Sequence, residues 1–297
     1  MKILFSLLAM LIFPTFARAE TPAEHIKSNA REFKNLDVSP ALLGSIENHK
    51  LILLGESHGT NEMPDYAFKI IEAMAQKHDV AIGLEFPTDI QGQIDSFLKT
   101  GDEKVLAALD FFQDANYHSG RGSEAMVRLL KNIRTLPRAK VFCFDIPKPQ
   151  KGQAVSNDRD TKMAMTILDF IKKNPSRTVI TFSGNLHSRL TVGTPWDPDS
   201  KNMGSEVLRL SKGALSLKNS RNLQFRYDEG AAWQCWPDSN EKIVCGGKTF
   251  GPVNTVYRTA VPFERYFLEE PEMTDGHFNS IFIKRVSASL PWKLSPR

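Results

Sequence analysis

Cysteine is scarce in these 297 residues: there are 3, and the first is residue 143. No spacing of cysteine and histidine resembles a structural zinc site, and no cysteine follows the N-terminal leader to carry a lipid anchor. Long apolar runs are missing as well, since the leader's run at residues 3–13 is well short of the ~20 residues of a bilayer-spanning helix and nothing later comes near that length. Charge of one sign never accumulates. The formal net charge of +4 falls to +2 without Lys2 and Arg18, and no basic run stands out, so neither nucleic acid nor an anionic membrane is an expected partner. Internal repeats and low-complexity segments are lacking too, which argues against a solenoid, and only the last residues, 291–297, read as a loose tail.

What is present begins with that leader. One lysine, the apolar stretch 3–13 and Ala17-Arg18-Ala19 as a small-x-small cleavage site predict a signal peptide over residues 1–19, cleaved after Ala19, and a periplasmic or secreted mature protein. Residues 20–297, in a chain that is 41% hydrophobic, can build a full core and are expected to form a single α/β domain. Export permits disulfides. Cys235 and Cys245 flank a segment with Pro237-Asp238-Ser239-Asn240 turn chemistry, which predicts a hairpin-closing bridge. Cys143 lies within an apolar strand pattern and reads as an inert core thiol.

The chain is organised around residues 51–62, four apolar residues followed by Gly55-Glu56-Ser57-His58-Gly59-Thr60-Asn61-Glu62. An unbroken apolar run is the pattern of a strand covered on both faces, and residues 65–77 then follow helical spacing. The pattern recurs at 80–87, which holds Glu85, at 140–144, ending in Asp145, and at 178–183, running into Asn185 and His187. Alternating strands and helices predict a mostly parallel open sheet with helices on both faces. Residues 88–136 read as a helical insertion after the second of these strands, and 211–275 as a C-terminal β-rich extension, with strand-like pieces at 214–217, 223–227 and 242–245 and a last sheet strand at 278–283. In such sheets ligands bind outside the carboxyl ends of the strands, so Glu56, His58, Glu85, Asp145, Asn185 and His187 converge on one edge.

Gly55-Glu56-Ser57-His58-Gly59 fits G-x-S-x-G, with Asp145 and His187 following in hydrolase order. That elbow normally follows a central strand with others already laid down, whereas here it follows the first. Ser57 is expected to cap the next helix. Two imidazoles and several carboxylates then leave two chemistries open. Either His58 or His187 takes a proton from water while a glutamate fixes its tautomer, or His58, His187 and one of Glu56 or Glu85 hold a divalent metal. Glu62, Asp145, Arg159, Asp160 and Asn185 are candidate substrate contacts. His25, His49 and His78 read as surface residues, and His118 and His277 as rim contributors to the pocket.

These motifs, with Gly83-Leu84-Glu85, Arg159-Asp160-Thr161-Lys162-Met163-Ala164 and Gly184-Asn185-Leu186-His187, together resemble the erythromycin esterase-like group, which is related to the ChaN haem-uptake proteins and the Tiki-type metal-dependent proteases. The likeness spans roughly residues 50 to 190, and residues 278–289 are similar to a family ending. It implies an α/β core with a helical insertion and a His/Glu site that activates water to cleave an ester. By that resemblance His58 is the general base, Glu85 an orienting or acidic partner and His187 a second imidazole, with Glu56 in support. Only Ser57 separates Glu56 from His58, a spacing closer to the haem-uptake branch, while His58-Gly59-Thr60-Asn61-Glu62 is closer to the esterases. The leading expectation is a hydrolase of an ester or amide bond in a small molecule or peptide. The alternative is a haem- or metal-binding protein without turnover. Oligomeric state leaves no signature in the sequence.

Overall fold

The computed structural model describes residues 20–113, 120–147 and 158–292. The leader 1–19 and His118 lie outside the described residues. The strands are β1 (Arg31–Glu32), β2 (Leu51–Glu56), β3 (Val80–Pro87), β4 (Ala139–Asp145), β5 (Thr178–Gly184), β6 (Ser220–Pro237), β7 (Ile243–Phe250), β8 (Arg265–Thr274) and β9 (His277–Val286). They form one 9-stranded sheet in the order β1-β8-β9-β6-β2-β5-β3-β4, with β7 paired to β6. From β9 to β4 along this order, neighbouring strands run parallel, which places their carboxyl ends along one edge. Antiparallel pairing is confined to β1–β8, β8–β9 and β6–β7.

Every residue of β2 is buried because each face has its own cover. Ile52 and Leu54 pack in the core that contains helices Glu62–Lys77, Gln91–Thr100 and Glu124–Ile133, whereas Leu51 and Leu53 pack with Met163, Ile167, Met203 and Val207 from helices Arg159–Lys173 and Met203–Leu210. Period-2 alternation of side chains thus serves two cores rather than a core and a solvent face. The segment after β3 is helical, with short helices through Gln113 and then Glu124–Ile133. No helix among the described residues is long and apolar enough to cross a membrane.

The C-terminal β-rich segment joins this same sheet. The first half of β6 pairs with β2 on one side and β9 on the other, and its second half continues as a two-stranded arm with β7. Cys235 and Cys245 face each other across the arm and form the disulfide. Residues 214–217 are not a strand. Ser211 Oγ takes the Leu215 N–H and Asn219 Oδ1 takes the Ser216 N–H, so side chains close turns where a ladder partner is lacking. Ser57 does not cap the next helix either: the N-cap is Asn61, without a side-chain capping bond, and the Ser57 N–H points to Met63 Sδ at 3.3 Å.

Two glycines let three backbones meet beside the sheet edge. A Cβ on Gly59 (φ 82°) would lie 2.1 Å from the Trp233 carbonyl oxygen, and one on Gly120 (φ 88°) would lie 2.3 Å from Gly59 Cα. The turn after β2, the insertion and the β6–β7 arm are clamped there, helped by a Trp233 N–H to Gly59 carbonyl bond of 2.8 Å. Gly120→Ala is expected to lower stability by about 1–3 kcal/mol through strain and steric conflict, read as a lower Tm in thermal denaturation. The outer edge at β4 is closed by one side chain. Gln91 accepts the Cys143 N–H at 2.6 Å and donates to the Val141 carbonyl at 3.3 Å, as a neighbouring strand would.

Candidate functional site

Parallel strands deliver Glu56, Glu85 and Asp145 to the same edge, each only 4% exposed. β3 shifts register against β4 between Leu84 and Pro87, the irregularity at which Glu85 leaves the regular ladder. Glu85 is the hub. Its Oε1 accepts from Arg159 Nη2 at 2.7 Å and Arg121 Nη1 at 3.1 Å, and its Oε2 accepts the Gly184 N–H at 2.8 Å. Asp145 binds the same two guanidiniums, Arg159 Nε at 2.8 Å and Nη2 at 2.9 Å, and Arg121 Nη1 at 2.6 Å. Arg159 and Asp160 reach the edge because helix Arg159–Lys173 begins there.

The two imidazoles are held differently. His58 presents Nδ1 to Glu56 Oε1 at 2.8 Å and Nε2 to Glu85 Oε2 at 3.3 Å, so both ring nitrogens face carboxylates. His187 presents Nδ1 to Asp160 Oδ1 at 2.7 Å and Nε2 to Arg159 Nη1 at 3.0 Å. A guanidinium only donates, so Nε2 of His187 is the accepting, unprotonated nitrogen, and its proton sits on Nδ1 toward Asp160. Asp160 Oδ1 also takes the Met203 N–H at 2.7 Å, tying His187 to the start of helix Met203–Leu210. Glu85 lies between the rings, with Oε1 3.6 Å from His187 Nε2.

Electrostatics follow this geometry. Burial works against a charged His58, but the Glu85 charge and the hydrogen bonds to Glu56 and Glu85 override it and lift its pKa to about 9. Burial pushes Glu85 up, yet its cationic neighbours, His58 and Arg121 among them, and the His58 hydrogen bond hold it well below the carboxylate range. Burial raises Glu56, with His58 partly opposing. A histidine whose pKa is higher folded than unfolded stabilises fully below the unfolded value of ~6.5, and that contribution disappears as pH rises through about 9. Glu85 acts in the opposite sense, stabilising above the unfolded carboxylate range and ceasing to do so in acid. Stability is therefore expected to fall by about 1–3 kcal/mol between pH 7 and 10. Denaturation across that range checks it, with His58→Gln flattening the alkaline limb.

A cavity of about 350 Å³ opens beside this network, lined by Glu56, Ser57, His58, Asn185, Leu186, His187, Gln234 and others. Asn185 donates to the Phe225 carbonyl at 3.3 Å and forms part of the wall. Glu62 stands apart: its carboxylate takes the Ser287 N–H at 2.9 Å and hydroxyl at 2.6 Å, in an exposed contact. His277 is buried rather than on a rim, bonded to Ser188 Oγ at 2.9 Å, and burial pulls its pKa to about 4. Cys143 is buried, and burial pushes its thiol up, as expected of a core residue.

Arg121 and Gln234 escaped the sequence reading. Arg121 stood between two glycines in a loop pattern, and that Gly-Arg-Gly was the available signal of close backbone packing. Gln234 gave no signal, since the β6–β7 arm reaches the site only through pairing with β2 and β9.

The donors do not suit a divalent metal or a haem. Two guanidiniums already occupy Glu85 and Asp145, both nitrogens of each imidazole are engaged, and no group of 3 or more His, Cys, Asp or Glu side chains among the described residues has a metal-holding arrangement. A porphyrin needs apolar faces, and Leu186 is the one aliphatic side chain among the lining residues.

The sequence profile described as "Haem-binding uptake, Tiki superfamily, ChaN" matches residues 42–120, which include Glu56, His58 and Glu85. No curated protein matches the chain. Among solved structures, a Bacillus cereus protein is 13% identical with a TM-score of 0.63, covering 91% of this chain and 98% of its own. A succinoglycan biosynthesis protein is 10% identical with a TM-score of 0.64, covering 90% and 97%. A mutant of erythromycin esterase EreC in its open conformation is 11% identical with a TM-score of 0.67, covering 88% and 98%. Residues 42–120 are thus similar to the ChaN/Tiki profile, and over most of its length the chain has a fold similar to that of erythromycin esterase EreC.

Proposed function

We propose that the protein is an exported hydrolase that cleaves an ester or amide bond by acid–base activation of water. One observation carries this reading: two imidazoles flank one cavity and meet at Glu85, His58 set between two carboxylates and His187 between a carboxylate and a guanidinium. In this mechanism water displaces the Arg159 contact from His187 Nε2 and gives that nitrogen its proton as it attacks the carbonyl carbon. Asp160 holds the ring and balances the charge that forms. Arg159 stays anchored on Glu85 and Asp145. Collapse of the tetrahedral intermediate breaks the bond to the leaving group, which takes a proton from cationic His58 Nε2, the proton held by the longer 3.3 Å contact. Proton exchange with solvent resets both rings. This reverses the roles that the resemblance implies, in which His58 is the base.

The leader pattern at residues 1–19 and the Cys235–Cys245 bridge support an oxidising compartment outside the cytoplasm. EreC is an esterase by name, whereas the matching family's description favours haem binding as a second reading. A panel of p-nitrophenyl esters and peptide amides, run beside a haem titration, separates the two. Cleavage without a Soret band is expected. A Soret band abolished by His58→Ala or His187→Ala, with no substrate cleaved, replaces the hydrolase by the binding protein.

A further inference from the structure

We infer that Gln234 is a specificity-determining residue and that the substrate carries a peptide-type secondary amide next to the bond cleaved. This rests on the hydrolase reading and names its substrate class. Gln234 lines the same cavity as His58 and His187, and among the described residues no hydrogen bond engages its carboxamide. Its position is fixed. The preceding residue donates its N–H to Gly59, one residue after His58, and the following one is bridged to Cys245. The Gly59 and Gly120 backbones both pass close to the Trp233 backbone, which holds this part of the arm beside the cavity.

A carboxamide offers a donor and an acceptor side by side, the complement of an extended peptide unit. The fold uses that match twice. Gln91 bridges the Val141 carbonyl and the Cys143 N–H, and Asn222 donates to the Ser188 and Gly276 carbonyls while accepting the Phe278 N–H. Gln234 is the counterpart that faces the catalytic cavity without a peptide of its own, so the substrate supplies one. Leu186, 40% exposed on the same cavity, gives an apolar group of that substrate a surface to cover.

The test compares N-acetyl-leucine p-nitrophenyl ester, which carries the amide, with p-nitrophenyl butyrate, which does not. Gln234→Ala is expected to raise KM for the first by about tenfold more than for the second, the loss of one or two ordinary hydrogen bonds, with kcat for the first held within about twofold. Gln234→Asn, which keeps the amide, is expected to recover part of the difference. Equal effects on both esters, or none on either, overturn the assignment. If the wild type cleaves neither ester the hydrolase reading fails, and calorimetric binding of N-acetyl-leucine amide then decides this inference separately. Binding weakened about tenfold by Gln234→Ala upholds it, and binding that is absent or unchanged in the variant overturns it.

Discussion

His187→Ala is expected to lower kcat/KM for ester cleavage by about 10² to 10⁴, the usual worth of a positioned general base. The loss falls on kcat, because His187 Nε2 meets the attacking water rather than the bulk of the substrate. Folding is expected to survive: the ring retains 18% of its side-chain exposure, and Asp160 keeps its bond to the Met203 N–H after the imidazole is gone. Added imidazole should restore part of the rate in His187→Ala, since the missing group is a diffusible base, whereas a structural defect would not respond. Asp160→Asn is expected to be intermediate. An asparagine amide can turn its donor to Nδ1, which favours a proton on Nε2, the nitrogen that now faces the Arg159 guanidinium.

Glu85→Gln is expected to cost about 3–5 kcal/mol of stability, the price of breaking a buried ion pair from one side. Glu85 is 4% exposed and faces His58, His187, Arg121 and Arg159, while its Oε2 also takes the Gly184 N–H. An amide can still accept one or two of these bonds, but its NH₂ group meets a guanidinium or the Gly184 N–H, donor against donor. For a domain of this size the Tm should fall by roughly 6–20 °C. His58 should also lose much of its raised pKa, because the Glu85 charge is the largest influence supporting it. The alkaline loss of stability then begins at lower pH. A variant as stable as the wild type, with the alkaline limb unmoved, would show that the charges are screened by water and that Glu85 is not the hub.

The core strands were legible because β2, β3, β4 and β5 carry apolar residues on both faces. Such runs need two covering layers, and the strand ends then fall at one edge whatever the register. Glu56, Glu85, Asp145 and His187 therefore fall together at that edge, with His58 beside them. β6 is legible only in fragments because Asn222, Gln224 and Asp228 alternate with its apolar residues, the pattern of a strand with one wet face, although all three are buried here. Their cover comes from residues distant in sequence, among them Ser188, Gly276 and Phe278 around Asn222. Arg121 was hidden for the same reason: an arginine in a glycine-rich turn becomes part of the ion network only once the insertion folds back over the sheet edge. Glu62 failed in the other direction. Its motif neighbours His58, but the helix begins with Glu62 itself and turns its carboxylate outward to Ser287.

In the resting protein the two imidazoles are expected to hold opposite protonation states. ¹⁵N NMR of the histidine ring nitrogens at pH 7.5, with each residue assigned through His58→Gln and His187→Gln, measures this directly. A doubly protonated ring is expected for His58 and a ring protonated at Nδ1 alone for His187. A neutral His58, or a His187 that carries its proton on Nε2, would contradict this assignment.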